Sequence, residues 1–477
     1  MIRRTVFLTS LVALALAGCV DRGDWKPAPQ LAPHGLSADR ALAGAALDAQ
    51  AWPAEGWWRA YGDPQLDALV QQALAGSPSL EIAQARLRAA QGQALAAHSA
   101  RLPQVSVNAS VERQRFPENG LYPPPYGGNY YTQGQATLNL SYDLDFWGHY
   151  RQLAAAARAG VEAAQADQAA ARLALSVAVV KAYIQLDLSY ALLDVTNDNL
   201  RQQQQILELT QQRVAAGLEN TARVKQSEGQ LALVRAGVAF VQANIDLGRD
   251  QLADLVAAGP DRGMDLKRPA LTAPHSLALP SLLPADLLGR RPDIVASRAQ
   301  VESAAHGIKA AEANFYPDVN LTAFAGFSSL GSLGQLFDAS DRIIGGGPAL
   351  SLPVFNRGAL TGALYVQRAQ YDQSVGQYNQ TLLDAVRQVA DVVANWRALE
   401  RESAEQQTAL EDAQRSYDLT TERYKAGLDN YLSVLSSQNQ VLLAQGLRAE
   451  LAAQRLTFSV DLVLALGGGY LPPTPAS

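Results

Sequence analysis

The chain has 477 residues, 48% of them hydrophobic and 18% charged, which is the composition of a folded protein and not of an extended disordered one. Its net charge of −6 supplies no basic field, so nucleic acid is not an expected partner. A single cysteine, Cys19, excludes disulfides and cysteine-based metal sites.

Residues 1–18 read as a lipoprotein signal peptide. Arg3 and Arg4 give the positive start, and residues 6–17 form an apolar run too short to span a bilayer well. Leu16-Ala17-Gly18-Cys19 resembles the bacterial lipobox, which implies that Cys19 becomes the acylated first residue. Val20 follows instead of an acid, and by the same lipoprotein rule this favours passage to the outer membrane. A single acyl anchor holds weakly. No later stretch has eighteen consecutive apolar residues, so no transmembrane helix is expected. An exported, lipidated chain without one must be peripheral or a barrel.

Residues 19–64 form an irregular segment, rich in Pro and Gly and carrying Trp52, Trp57 and Trp58, expected to lie on other structure. A helix follows from Pro78, with Leu80, Ala83, Leu87, Ala90, Ala94 and Ala97 as a heptad seam. At Pro103 the period changes to two. Val105, Val107, Ala109 and Val111 alternate with Gln104, Ser106, Asn108, Ser110 and Glu112. Over 135–146, Ala136, Leu138, Leu140, Tyr142 and Leu144 alternate with Gln135, Thr137, Asn139, Ser141, Asp143 and Asp145. Such strands suit a membrane β-hairpin or, equally, one in a soluble sheet. A Pro/Gly/Tyr-rich loop, 116–134, separates them. A second pair is expected over 318–327 and 348–355, with Gly345-Gly346-Gly347 as a turn before the last strand and Pro353 near its end.

The chain is an internal duplication. Leu209-Thr210-Gln211-Gln212-Arg213-Val214-Ala215-Ala216-Gly217-Leu218-Glu219-Asn220 recurs 210 residues later as Leu419-Thr420-Thr421-Glu422-Arg423-Tyr424-Lys425-Ala426-Gly427-Leu428-Asp429-Asn430, with seven of twelve positions identical. Each copy reads as a helical hairpin tip. Gly217 and Gly427 end a helix in the left-handed conformation, Leu218 and Leu428 are placed to fold back onto its last turn, and the Asn residues cap the next helix. No proline lies between Pro125 and Pro260 or between Pro353 and Pro472, so 149–216 and 357–426 are expected as very long helices. Each would measure roughly 100 Å, and the return helix over 429–466 roughly 57 Å. The division expected is 65–258 for the first repeat, 259–291 for a Pro-rich connector, 292–466 for the second repeat and 467–477 for a tail.

The fold expected is mainly helical, with long antiparallel hairpins and four strands per chain. Four strands cannot close a membrane barrel, and an open sheet in lipid would leave backbone groups unpaired. Three copies pooling their strands would give a twelve-stranded β-barrel continued by a periplasmic α-barrel.

Three stretches then resemble the TolC/OprM-like outer-membrane efflux lipoproteins: Trp57-Trp58 with Tyr61-Gly62-Asp63-Pro64-Gln65-Leu66, Arg290-Arg291-Pro292-Asp293-Ile294 after Leu283-Pro284-Ala285-Asp286, and Ala310-Ala311-Glu312-Ala313 with Tyr316-Pro317. The resemblance runs from Cys19 to Leu466. It implies a homotrimer in outer-membrane lipid, forming the exit duct of a tripartite pump with a periplasmic adaptor and an inner-membrane transporter. It further implies that Gly217, Leu218, Gly427 and Leu428 meet the adaptor, and that Tyr424, Asp429 and Leu432 belong to the closed end of the duct. Where relatives carry an acid in a Leu-Asp-Ala-Gln run, this chain has Leu435-Ser436-Ser437-Gln438, so an acidic ring at 436 is not expected.

Enzyme readings find no support: there is no phosphate-binding Gly-Lys-Ser/Thr loop and no His-Glu-x-x-His. His34, His98, His149, His275 and His306 are dispersed, Asp143 and Asp145 are expected to line a wet strand face, and no cofactor or metal is implied. The competing reading is a lipid-anchored periplasmic coiled-coil scaffold without a pore.

Overall fold

The computed structural model describes residues 25–32, 36, 39–43, 46–47, 52–120, 122–272, 278–279, 287–353 and 355–472. The signal peptide, Cys19 and the Leu283-Pro284-Ala285-Asp286 stretch lie outside the described residues. The chain folds as two compact units built from interleaved segments: described residues within 1–30, 86–164 and 297–378 form one, those within 31–85, 165–296 and 379–477 the other.

In the first unit the four period-two stretches make one antiparallel sheet in chain order. Its strands are β1 (Gln104–Arg115), β2 (Tyr130–Asp143), β3 (Asp318–Leu330) and β4 (Arg342–Ser351). The register matches apolar with apolar: Val105 with Leu140, Leu140 with Ala323, Val107 with Leu138, and Ala325 with Ile344. A shift of one residue would scatter these side chains over both faces, so the alternation rules out odd changes of register.

Three expectations are corrected here. Gly345, Gly346 and Gly347 are not a turn but lie inside β4, which begins six residues before Pro348. A Cβ at Gly345 would come 2.6 Å from the Phe324 ring, which covers the bare backbone of β4. Pro348 stands on the outermost strand of the chain's own sheet. Second, β2 ends at Asp143, so Asp145 faces no strand surface. Its backbone is left-handed at φ 42°, and its carboxylate accepts the Tyr150 and Arg151 N–H groups at 3.0 and 2.8 Å, satisfying free donors at the next helix start. Third, β4 stops at Ser351, short of Phe355.

The helices show the duplication in their lengths. Helices α2 (Pro78–Ser99) and α5 (Pro292–Ala313) have 22 residues each. Helices α3 (His149–Ala215) and α6 (Arg357–Lys425) have 67 and 69, and α4 (Thr221–Leu255) and α7 (Tyr431–Ala465) have 35 each. A thirteen-residue helix, Pro64–Gly76, precedes them as α1. The expected α2 seam, from Leu80 to Ala97, is the half-buried face of a helix otherwise exposed.

The main core lies in the second unit, where Trp57, Trp58, Tyr61, Leu66, Tyr183, Ile245, Leu252 and Val460 pack together. Two of the motif stretches act as ties around it. Asp63 caps α1 through the Gln65 N–H at 2.8 Å and accepts the Tyr183 hydroxyl and the Ala270 N–H. Burial raises the Asp63 carboxyl, but these hydrogen bonds outweigh it and hold the group below the usual carboxylate range. Gln65 exchanges two hydrogen bonds with the Lys267 backbone, clasping the connector. Tyr61 shares a hydrogen bond with Ser459 at 2.7 Å, and its burial pushes the phenol up to about 12. Arg291, 5% exposed, holds Asp293 through two nitrogens and donates to Ala465 O, closing the end of α7.

Candidate functional site

The two tips are built alike. The N–H of Leu218 donates to Arg213 O at 2.9 Å and that of Gly217 to Val214 O at 3.0 Å, while Leu428 and Gly427 repeat the pattern on Arg423 and Tyr424. This paired closure needs a left-handed residue, and Gly217 and Gly427 supply it with φ of 73° and 76°. Asn220 and Asn430 accept from the N–H groups of Arg223 and Ser433, starting the return helices. The leucines depart from expectation. Leu218 and Leu428 are 65% and 69% exposed, so each tip presents an apolar side chain to its surroundings instead of folding it back.

Behind the tips, Ile206 of α3, Tyr424 of α6, and Tyr431 and Val434 of α7 form a small buried cluster. Arg213 lies 4.7 Å from the Tyr424 ring centroid and donates to Tyr424 O at 3.0 Å, pinning α3 to α6. Two turns along α7, Gln438 continues the seam: it accepts from Gln203 at 2.7 Å and donates to Asn199 and Gln202. Sequence reasoning missed Arg213, Tyr431 and this amide cluster, because the contacts of Arg213 with Tyr424, of Tyr431 with Ile206 and of Gln438 with Asn199, Gln202 and Gln203 each span more than two hundred residues.

Leu432 does not join Tyr424. It is 49% exposed on the opposite face of α7, and Ser436, one turn on, is exposed on that same face. Asp429 lies at the tip, 3.4 Å from Arg423 Nε, and hydrogen bonds from Ser433 and the Asn430 N–H lower its carboxyl from the ordinary range.

Among the described residues, the sheet's apolar face has nothing packed over it. Val107, Leu138, Ile344 and Leu350 are exposed by half or more of their surface. On the other face lie Ser106, Asn139, Ser141 and Thr322, with Phe324 among them. Beyond the helix-side end, Trp147 stacks on Tyr316 at 4.5 Å and donates to Pro317 O, with Phe146 and Phe355 exposed nearby. A cavity of about 510 Å³ there is lined by Asp143, Trp147, His149, Tyr150 and Tyr316, among others. His149 is spent on Ala310 O and His306 on Gln152, and no metal-binding group of side chains occurs among the described residues.

Strands with one bare apolar face and one polar face, flanked by aromatic side chains, define a membrane-barrel wall. With the long helical hairpins attached, the class is an outer-membrane duct. Residues 69–258 and 283–468 match the family described as outer membrane efflux protein, and the chain belongs to it. It is 32% identical to the multidrug resistance outer membrane protein MdtP of Shigella flexneri, over 95% of this chain and 94% of that protein. It is 41% identical to the fusaric acid resistance protein FusA of Burkholderia cepacia, over 74% of this chain and 67% of that one. The crystal structure of the outer membrane protein VceC of Vibrio cholerae superposes with a TM-score of 0.82 at 37% identity, covering 88% of this chain and all 100% of that one. The protein is therefore an outer-membrane channel, the exit duct of a tripartite efflux pump, reaching into the periplasm. Its class forms trimers with a β-barrel and a helical barrel, and consists of channels, not enzymes. A scaffold without a pore is not favoured.

Stretches of α3 and α4 have the length and mean composition of a bilayer-crossing helix, although neither holds eighteen consecutive apolar residues. Half of the α3 stretch is buried inside the chain, as in a core helix. The α4 stretch is exposed, with Leu233, Phe240 and Leu247 recurring every seven residues, the spacing of a helix-packing seam.

Proposed function

We propose that this channel exports small toxic organic compounds and engages a periplasmic adaptor, fed by an inner-membrane transporter, through its two hairpin tips. The observation that carries the docking role is the matched pair of tips, each rigidly closed and each holding out a leucine. The cargo class is carried over from MdtP and FusA, named for multidrug and fusaric acid resistance. In this reading Gly217, Leu218, Gly427 and Leu428 meet the adaptor, while Tyr424, Asp429 and Leu432 belong to the closed end. The repeats over 65–258 and 292–466, joined by 259–291, each contribute one tip and two strands. The α4 seam packs on the neighbouring copy, and Cys19 carries an acyl anchor.

Replacing Gly427 tests the docking role. A Cβ there meets nothing within 4 Å, so the Cβ of Gly427→Val costs mainly through the left-handed backbone, roughly 1–2 kcal/mol. Trimers should assemble, while adaptor cross-linking in cells and drug resistance fall. Normal cross-linking would show that the tips do not dock.

The anchor is tested separately. Cys19→Ser should remove acylation, read by loss of radiolabelled palmitate, yet leave trimers and pore conductance nearly intact, because pooled strands hold the bilayer more firmly than acyl chains. A soluble monomer from correctly exported Cys19→Ser would overturn this.

A further inference from the structure

Sorting the strand residues by face leaves a pattern that the channel reading does not use. Six strand residues are charged. Glu112, Asp143 and Asp318 fall on the polar face, whereas Arg113, Arg115 and Arg342 fall on the apolar, lipid-facing one. All three arginines lie toward the end of the sheet remote from α3 and α6, which in an outer-membrane channel is the cell exterior.

The stagger of the ladder brings two of them to one height. Gln104, the helix-side end of β1, shares a row with Ser141, Thr322 and Gly347, yet β4 runs on to Ser351, four residues further. Four residues of about 3.4 Å over three gaps of about 4.8 Å correspond to a tilt of about 43°, within the range of membrane barrels. Level positions on β1 and β4 therefore differ by four residues along the ladder. Arg342 shares its row with Phe327, Ala136 and Ala109, and four residues beyond Ala109 stands Arg113. Roughly 20 Å of apolar face separates this level from Val105.

Barrel closure joins β4 of one copy to β1 of the next, because these are the two free edges of the sheet. By threefold symmetry Arg342 of one copy then sits at the height of Arg113 of the next, on adjacent strands about 7 Å apart. Two guanidinium groups side by side against lipid repel unless an anion lies between them. Among the described residues none does. No side-chain hydrogen bond or ion pair among the described residues engages the Arg113 guanidinium, and that of Arg342 uses only Nε, on Ala339 O. Arg115 pairs with exposed Glu118, and Tyr130, directly opposite Arg115 on the same face, is 65% exposed.

We propose that each seam between copies binds the phosphate of an outer-leaflet glycolipid of the lipid A type, clamped by Arg113 and Arg342 with Tyr130 beside its sugar. Arginine presents paired N–H donors matched to phosphate oxygens. Its cost on a lipid-facing wall falls toward zero at the headgroup level, where this band stands. The inference rests on the trimeric outer-membrane channel described above, and planar-bilayer conductance checks that reading independently.

The test uses full-length trimers, delipidated in detergent and titrated with lipid A, bound lipid being counted by native mass spectrometry. The parent should retain one lipid A per seam, and Arg113→Gln/Arg342→Gln should bind about tenfold more weakly. Glu112→Gln, on the opposite face, should bind as the parent does. Dephosphorylated lipid A should bind the parent as poorly as lipid A binds the double variant. If the double variant does not assemble, Arg342→Gln alone should still weaken retention severalfold. Undiminished binding by assembled variants, equal binding of the dephosphorylated lipid, or displacement of lipid A by inorganic phosphate would each overturn the proposal.

Discussion

Leu140→Arg should sharply reduce the yield of assembled trimer, whereas Asn139→Arg, one residue away, should assemble nearly as the parent does. Leu140 lies between Val105 and Ala323 on the apolar face, well below the arginine band. An arginine there stands against lipid, at a cost for each copy that reaches about 2–4 kcal/mol at the bilayer midplane and falls toward the interfaces, and the trimer carries three. Asn139 pairs with Ser106 and Phe324 on the other face, where water hydrates a new charge. The measurement is heat-modifiable migration of trimers extracted from outer membranes. Equal yields would mean that the two faces are wrongly assigned, and the barrel reading would go with them.

Leu432→Ala should raise single-channel conductance in planar bilayers and admit vancomycin-sized antibiotics into cells. Leu432 is half exposed in the chain and has no place in the Tyr424 cluster, so it is free to face its counterparts in the other copies. Three leucines meeting on an axis make an apolar constriction that excludes water and ions, and truncating them widens it. The substitution leaves the buried contacts of Tyr431 and Val434 on the opposite face of α7 intact. Ser436→Asp, on the same exposed face, should change cation preference and leave conductance near the parent's, since it adds charge without removing bulk. Unchanged conductance in an assembled Leu432→Ala trimer would place the constriction elsewhere.

The tips were legible because all their determinants are local. Helix end, left-handed glycine and Asn cap fall within twelve residues, and the motif occurs twice. The apolar strand faces were legible for the same reason, since a period of two needs no knowledge of the partner strand. Reading was poorer where local chemistry pointed the wrong way. Three consecutive glycines followed by proline resemble a turn, yet pairing with β3 and cover from Phe324 draw them into β4. Asp145 continued the alternation of β2 in sequence, but the coming helix needed a cap more than the sheet needed another rung.

By itself, the sequence determined the duplication, the helix lengths to within a few residues, both tips and the polar–apolar division of the strands, because each is set by the nearest few side chains. Only the tertiary structure decided which distant groups meet. Arg213 lies over Tyr424, Gln438 is enclosed by Asn199, Gln202 and Gln203, and Asp63 and Gln65 clasp the connector. The strand stagger that levels Arg342 with Arg113 is likewise a property of the ladder. These relations depend on how helices and strands far apart in the chain come into register, and that is set by packing the whole core at once, which no local period encodes.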